Sequence, residues 1–386
     1  MSSRRIKPHV LVNSLQRSGG TLVARLLDGH PAVRSLPFEL LYAQQKVRLP
    51  SEAELAGLWR DWESFKEAML FPRNFERVAA RGFFSKDVHS KTPVDFDYVA
   101  FEASVRTWFS KARQESGYAD ALSACLDAFF ETWLGEDPAA PAHLHVNHLS
   151  MMCYASPKRY FTLLPAGRIV QTLRDPYSWY ASVKGHFGIA DMDRSYMTYA
   201  MEVWVESTLR GLAAVRFWPQ RYAVVRYGDL ARDCEASMRR LAAFLELDFD
   251  PVLIRPTLGG LDWLGNSSFG PREGVHSDSL ASWRHRLAAE EIAFLEESSG
   301  AVGALLDDDI SWSPDSLPDS LRHPTSGIDE PLAATSHEEL LANESRRMSL
   351  LTFKMFTQTL QRERGERYNK KRSGFGRPGF LRRLLR

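Results

Sequence analysis

The sequence predicts a three-layer α/β fold, a parallel sheet covered by helices on both faces, and three observations predict it. A short apolar run at 10–12 ends in a polar, glycine-containing loop and resumes as a helix. From 143 to 245, strand-like runs take turns with helical stretches, the pattern of a parallel sheet. The chain has 386 residues, 44% of them hydrophobic and 25% charged, enough for one large globular domain with insertions or for two ordinary ones.

The first element is VLVNSLQRSGGTLVARLLDGHP, 10–31. After the strand, a loop spans 14–20. Leu22 and Leu26 then lie on one helical row and Val23 and Leu27 on the next, until Gly29 and Pro31 supply a stop. Strand, glycine-containing loop and helix together aim backbone N–H groups and the positive end of a helix dipole at one anion. Arg17 adds a planar cation that matches phosphate or sulfate oxygens, and Thr21 adds a hydroxyl in the first turn. The nucleotide-triphosphatase loop, G-x-x-x-x-G-K-[ST], is absent, because no Lys precedes Thr21. Such a loop grips a terminal phosphate without building a magnesium site.

Helical periodicity and aromatic residues dominate 40–142, in three stretches at 51–70, 99–114 and 119–134. Pro50-Ser51 followed by Glu54 is a capping-box signature for the first. Strands are expected at 143–149 (HLHVNHL), 168–173 (RIVQTL) and 221–227 (RYAVVRY), with helices at 176–186, 196–217 and 235–245 between and after them. Ligands on such sheets bind past the carboxyl ends of the strands, where the motifs fall. Beyond 248 the chain is loop-rich, with a helix at 289–297, a linker at 311–331 and a last helix at 337–364.

The net charge of +1 is uneven: residues 362–386 carry +8 and the rest −7. A basic tail of that kind suits weak contact with an anionic membrane surface, though the plainer reading is a solvated end. Nucleic acid is not expected as a partner. Three widely spaced cysteines (Cys125, Cys153, Cys234) fit neither a disulfide framework nor a zinc cluster. With no apolar run near 18 residues and no secretory leader, a cytoplasmic setting is expected. Oligomeric state is not legible.

The run RIVQTLRDPYSWYAS, 168–182, places Arg174 at a strand end, Pro176 at a favourable first helical position and Ser182 two turns along. Here the sequence resembles the sulfotransferases that use 3′-phosphoadenosine 5′-phosphosulfate (PAPS). Arg17-Ser18-Gly19-Gly20-Thr21 matches the family's 5′-phosphosulfate loop, and Arg174-Asp175-Pro176 with Ser182 matches its 3′-phosphate motif. VVRYGDL, 224–230, is similar to the segment that sets a tyrosine near the adenine, here Tyr227. NSSFGPREGV, 266–275, resembles the late R-x-G loop that returns to the 3′-phosphate, nominating Arg272 and Gly274. HPAVRSLPFELL, 30–41, resembles the branch with an acidic residue after the first helix, as in tyrosylprotein and many bacterial members. VNHLS, 146–150, is similar to a strand end of the cytosolic branch.

The resemblance covers about 8–300 and implies a P-loop nucleotide-hydrolase-like fold over 1–310. Residues 40–142 would be a helical insertion on the acceptor side, and 311–386 would hold the linker, last helix and tail. It implies sulfuryl transfer from PAPS, leaving 3′-phosphoadenosine 5′-phosphate, to a hydroxyl of a carbohydrate, lipid or small metabolite, with no metal. Arg17, which cannot plausibly give up a proton, would stabilise the leaving phosphate. Glu39 and His148 compete for the role of general base, and Arg17 in place of the cytosolic branch's Lys favours Glu39. Gly20 stands where the family often has a hydroxyl. Asp87, His89 and Lys91 form a polar cluster that could line the acceptor pocket. The competing functions are an ATP-dependent small-molecule kinase with a variant loop and a non-catalytic nucleotide-binding protein.

Overall fold

In a computed structural model of the chain, residues 8–39, 61–68, 75–76, 97–112, 116–135, 144–149, 157–189, 194–265 and 272–303 are described. They belong to one compact unit spanning 1–331; a second unit, 332–386, lies outside the described residues, as do the expected linker, last helix and basic tail.

Five strands form one parallel sheet: β1 (His9–Ser14), β2 (Val33–Glu39), β3 (Leu144–Leu149), β4 (Arg168–Leu173) and β5 (Tyr222–Arg226), in the order β2-β3-β1-β4-β5. Side-chain alternation along β1 builds the three layers. Val10 and Val12 join one core with Val23, Leu26 and Leu27 of helix α1 (Gly20–Leu27). Leu11 joins another core on the opposite face, with Ile169 and Tyr222. Val10, Leu11 and Val12 are fully buried, each contributing on the order of 1.5–3 kcal/mol.

The Leu11 face is covered by aromatic side chains from α2 (Trp62–Ala68), α3 (Tyr98–Lys111) and α4 (Tyr118–Leu134). Phe75 stacks on Phe101 at 4.8 Å and meets Phe38 edge-on at 5.4 Å. The aromatic content read from 40–142 is, at these described positions, core packing rather than a ligand-lined wall. Further along lie α5 (Pro157–Leu163), α6 (Pro176–Phe187), α7 (Arg194–Phe217), α8 (Tyr227–Arg232) and α9 (Cys234–Leu245). A two-stranded hairpin, β6 (Thr257–Leu258) with β7 (Leu261–Asp262), precedes α10 (Asp278–Ala281) and α11 (Ala289–Gly303). No described helix is long and apolar enough to cross a membrane.

Two details depart from the sequence expectation. Residues 33–39 form strand β2, so Glu39 ends a strand instead of following a helix. Pro37 has no N–H to donate, and the β2–β3 register shifts between Ser35 and Glu39. The buried Arg25 guanidinium of α1 donates to the carbonyls of Leu36 (3.3 Å) and Pro37 (2.7 Å), satisfying the backbone at that irregularity. Second, the strand expected to run through Tyr227 stops at Arg226, and Tyr227 opens α8.

Asp28, at the end of α1, ties the β6–β7 hairpin down. Its carboxylate accepts from Thr257 Oγ1 (2.7 Å) and from the Gly260 N–H (3.0 Å). Burial pushes this carboxyl above the ordinary aspartate range, against the pull of its hydrogen bonds and Arg25. A folded-state value above the unfolded one favours folding at low pH, and that contribution fades as pH rises through the folded value. Asp28→Asn should remove this pH dependence, so that wild-type stability relative to the variant declines upward from the acid range. Asp28→Ala, leaving a buried N–H and hydroxyl unpaired, should cost about 2–3 kcal/mol. Urea denaturation across a pH series checks both, and a pH-independent difference between wild type and Asp28→Asn would contradict the assignment.

Candidate active site

The loop between β1 and α1 is held in an unusual backbone conformation. Arg17 has φ 70° and Gly19 φ 96°, both left-handed, so the chain reverses sharply after β1. Gly19 is required twice over. A Cβ there would lie 2.4 Å from Cδ2 of Tyr227, whose ring packs against the loop. The Ser18 N–H is spent on the Leu15 carbonyl (3.1 Å) and its side chain is buried, so the anion-facing part of the loop is Gly19, Gly20 and Thr21 at the start of α1. The first N–H groups of a helix have no intrahelical partner, and here they open into a cleft.

The opposite wall is α6. Asp175 caps it, accepting from the Ser178 N–H at 2.8 Å, and Pro176 occupies its first turn. Ser178 and Ser182, one turn apart, line the cleft. Arg174, at the end of β4, donates through Nε to Ser178 Oγ (2.8 Å) and through its terminal nitrogens to the carbonyls of Arg17 (3.1 Å) and Ser279 (3.4 Å). Its guanidinium stacks 4.3 Å from the centre of the Tyr227 ring. The Tyr227 hydroxyl shares a hydrogen bond with Ser279 Oγ at 2.9 Å. Arg17 donates through Nε to Ser182 Oγ at 3.2 Å. Burial holds both guanidinium groups below the ordinary arginine value, and Arg174 lowers Arg17 further by like-charge repulsion.

Two indoles brace this arrangement. Trp179 Nε1 donates to the Gln16 carbonyl and Trp204 Nε1 to the Arg174 carbonyl, each at 2.9 Å. Lys184, two residues past Ser182, meets the fully buried Glu291 of α11 at 2.7 and 2.8 Å, anchoring the far half of α6. Neither indole nor this ion pair was singled out in the sequence. Ser178 was also missed, although it stands one turn after Arg174 and one before Ser182.

Arg17, Gly19, Gly20, Thr21, Arg174, Ser182, Tyr227, Arg272 and Gly274, all nominated from sequence, thus line one cleft. Within the cleft, Ser182 accepts from Arg17 and Ser178 accepts from Arg174. Arg272 is ion-paired to Asp278 at the rim, and about half exposed. Glu39 is not among the described residues that line the cleft, and of His148 only the backbone position is described. They are register partners at the ends of β2 and β3, on the side of β1 away from β4. Asp87, His89 and Lys91 lie outside the described residues. Four arginines line the cleft, and Asp278 is the one acidic residue among the described lining residues. Among the described residues no group of three or more His, Cys, Asp or Glu could hold a metal ion.

A cleft with one acid against four guanidiniums, fed by a left-handed loop and a helix N-terminus, is built for a polyanion. A family model described as the sulfotransferase family matches residues 8–251, well over half of the chain. The chain belongs to the sulfotransferase family. The family and enzyme class expected from the two arginine motifs are borne out. Human carbohydrate sulfotransferase 1 is 28% identical over 160 residues, 38% of this chain and 36% of that protein. Mouse carbohydrate sulfotransferase 4 is 30% identical over 131 residues, 31% of each. Each match therefore spans about a third of the curated relative. The sulfotransferase domain of a Synechococcus olefin synthase aligns over 80% of this chain and 98% of its own, with TM-score 0.45 and 21% identity.

Proposed function

We propose that this sulfotransferase moves the sulfuryl group of PAPS to an acceptor hydroxyl, holding the donor in the arginine-lined cleft. The observation that carries the reading is the cross-linking of two cationic sites: Arg174 donates to the Arg17 carbonyl while Arg17 and Arg174 bond successive serines of one helix. Two anionic ends of one nucleotide match two such sites; a single triphosphate tail would leave the Arg174 half without a partner. The residues present fit the donor, since Gly19–Thr21 offer helix-start amides and the cleft carries an excess of guanidinium charge.

When bound, PAPS supplies a sulfuryl group whose transfer leaves negative charge on the 5′-phosphate. Arg17 and the Gly19–Thr21 amides meet that charge without reorganising, because the loop is already fixed. Arg174, Ser178 and Tyr227 hold the other end of the nucleotide and so fix the direction of approach. Glu39 takes the acceptor proton, with His148 at the neighbouring register position as its rival. Both belong to the β2–β3 side of the sheet, which supports an acceptor approaching from that side. Two relatives are named carbohydrate sulfotransferases, so a sugar hydroxyl is the first acceptor class to try.

The test is transfer of radiolabelled sulfate from PAPS to pooled carbohydrate acceptors without added magnesium. Glu39→Ala should lower kcat by roughly 10²–10⁴-fold, and His148→Ala by much less. The reverse ranking would move the base to His148. Magnesium-dependent consumption of ATP with no sulfate transfer would place the protein among the kinases, and tight donor binding without turnover on any acceptor would make it a nucleotide-binding protein.

A further inference from the structure

The β6–β7 hairpin belongs to neither arginine motif, yet it joins the far end of α1 to the cleft. Helix α1 presents Gly20, Thr21 and Leu22 to the cleft. It ends at Asp28, whose carboxylate holds Thr257 Oγ1 and the Gly260 N–H of the hairpin. Gly29 lets the two elements touch: its φ of 81° is left-handed, and a Cβ there would lie 2.9 Å from Thr257 Oγ1. On its other side the hairpin turn meets the Trp133 ring of α4, 3.1 Å from where a Cβ on Gly259 would be. The turn is therefore held by two helices, one from each core.

Strand β7 leads directly into Trp263, Leu264 and Gly265, and all three line the cleft. Trp263 is buried, and its N–H donates at 3.0 Å to the carbonyl of Pro256, the residue before Thr257. The Leu264 carbonyl accepts the Arg272 N–H at 2.7 Å, which seats Arg272 on the exit of the hairpin. Hydrogen bonds thus run from Asp28 through the hairpin to one wall of the cleft, while the same helix supplies the anion-facing amides at its other end. A carboxylate holds its donors more firmly than a neutral acceptor, and a wall fixed beforehand lowers the ordering cost of binding. We propose that Asp28 and Thr257 are positioning residues for the donor, latching the hairpin to α1 and so fixing the Trp263–Arg272 wall against the helix-start amides. The inference rests on the donor reading above. Neither residue lines the cleft; both act through the hairpin.

Calorimetry with adenosine 3′,5′-bisphosphate and amide hydrogen exchange, both on the whole chain, test it. Thr257→Val removes the donated hydroxyl and should weaken the bisphosphate by about three- to tenfold. Thr257→Ser restores the hydroxyl and should return the affinity to within about twofold of wild type. Arg255→Ala cuts the exposed Arg255–Asp262 ion pair of the same hairpin, leaves the latch intact and should bind as wild type does. Thermal denaturation of each variant checks folding. Coupling between two sites is reciprocal, so saturating bisphosphate should slow exchange of the wild-type Gly260 N–H by about the same factor. The Ala100 N–H, capped by Asp97 on α3, should exchange as before. That comparison needs no variant, so it decides the matter even where Thr257→Val does not fold. A wild-type protein that fails to bind the bisphosphate would sink the donor reading itself. One that binds it, with Gly260 and Ala100 slowed equally or not at all, overturns this inference alone, as does a folded Thr257→Val of undiminished affinity.

Discussion

Arg17→Ala should lower kcat by about 10²–10³-fold while weakening donor binding by less than tenfold. The asymmetry follows from where the side chain is held. Arg17 sits at φ 70°, in a region that non-glycine residues seldom adopt, and its Nε is fixed on Ser182. Its guanidinium is buried beside a second one, so negative charge developing nearby offsets both its burial and the like-charge repulsion. Interactions that strengthen in the transition state raise kcat; those already made with bound donor raise affinity alone. Arg17→Lys keeps the charge but loses the Nε donor to Ser182, and should recover only part of the rate. Single-turnover kinetics with pre-bound donor separates the two effects. An unchanged chemical step in Arg17→Ala would remove the residue from the reaction.

Arg174→Ala should weaken adenosine 3′,5′-bisphosphate by roughly 10²–10³-fold and AMP by less than tenfold. This guanidinium touches Ser178, the Arg17 and Ser279 carbonyls and the Tyr227 ring, which joins three separate segments of chain. Truncation removes the proposed phosphate contact and loosens those segments together. Arg174→Lys distinguishes the two: a point charge without the planar fork cannot serve all four partners. Its affinity for the bisphosphate should stay much closer to that of Arg174→Ala than to wild type. Equal losses for AMP and the bisphosphate in Arg174→Ala would show that the residue only supports the loop.

Much of the fold was legible because its signals are local. The apolar triplet Val10–Val12, the glycine loop and the Leu22/Leu26 row specify strand, turn and helix within 20 residues. The cap at Asp175-Pro176 likewise marks the start of α6. Strand β2 was not legible, since Arg34 and Pro37 interrupt its pattern and its irregular backbone is completed by Arg25, a residue of another element. The same distinction divides the site. Arg17, Arg174 and Ser182 were found by spacing within motifs, but which serine each arginine holds depends on tertiary approach. Trp179, Trp204 and Glu291 act across 30 or more residues and carry no short signature.

Helix α6 bonds the Arg17 loop through Trp179 and Ser182, bonds Arg174 through Ser178, and is pinned by Glu291 through Lys184. On the proposed donor reading, one helix thus sets the span between the two cationic sites that meet the charged ends of the nucleotide. The strands carrying Glu39 and His148 lie on the other side of β1 from β4. On the proposed reading, the base and the donor span are thus set by different strands of one sheet.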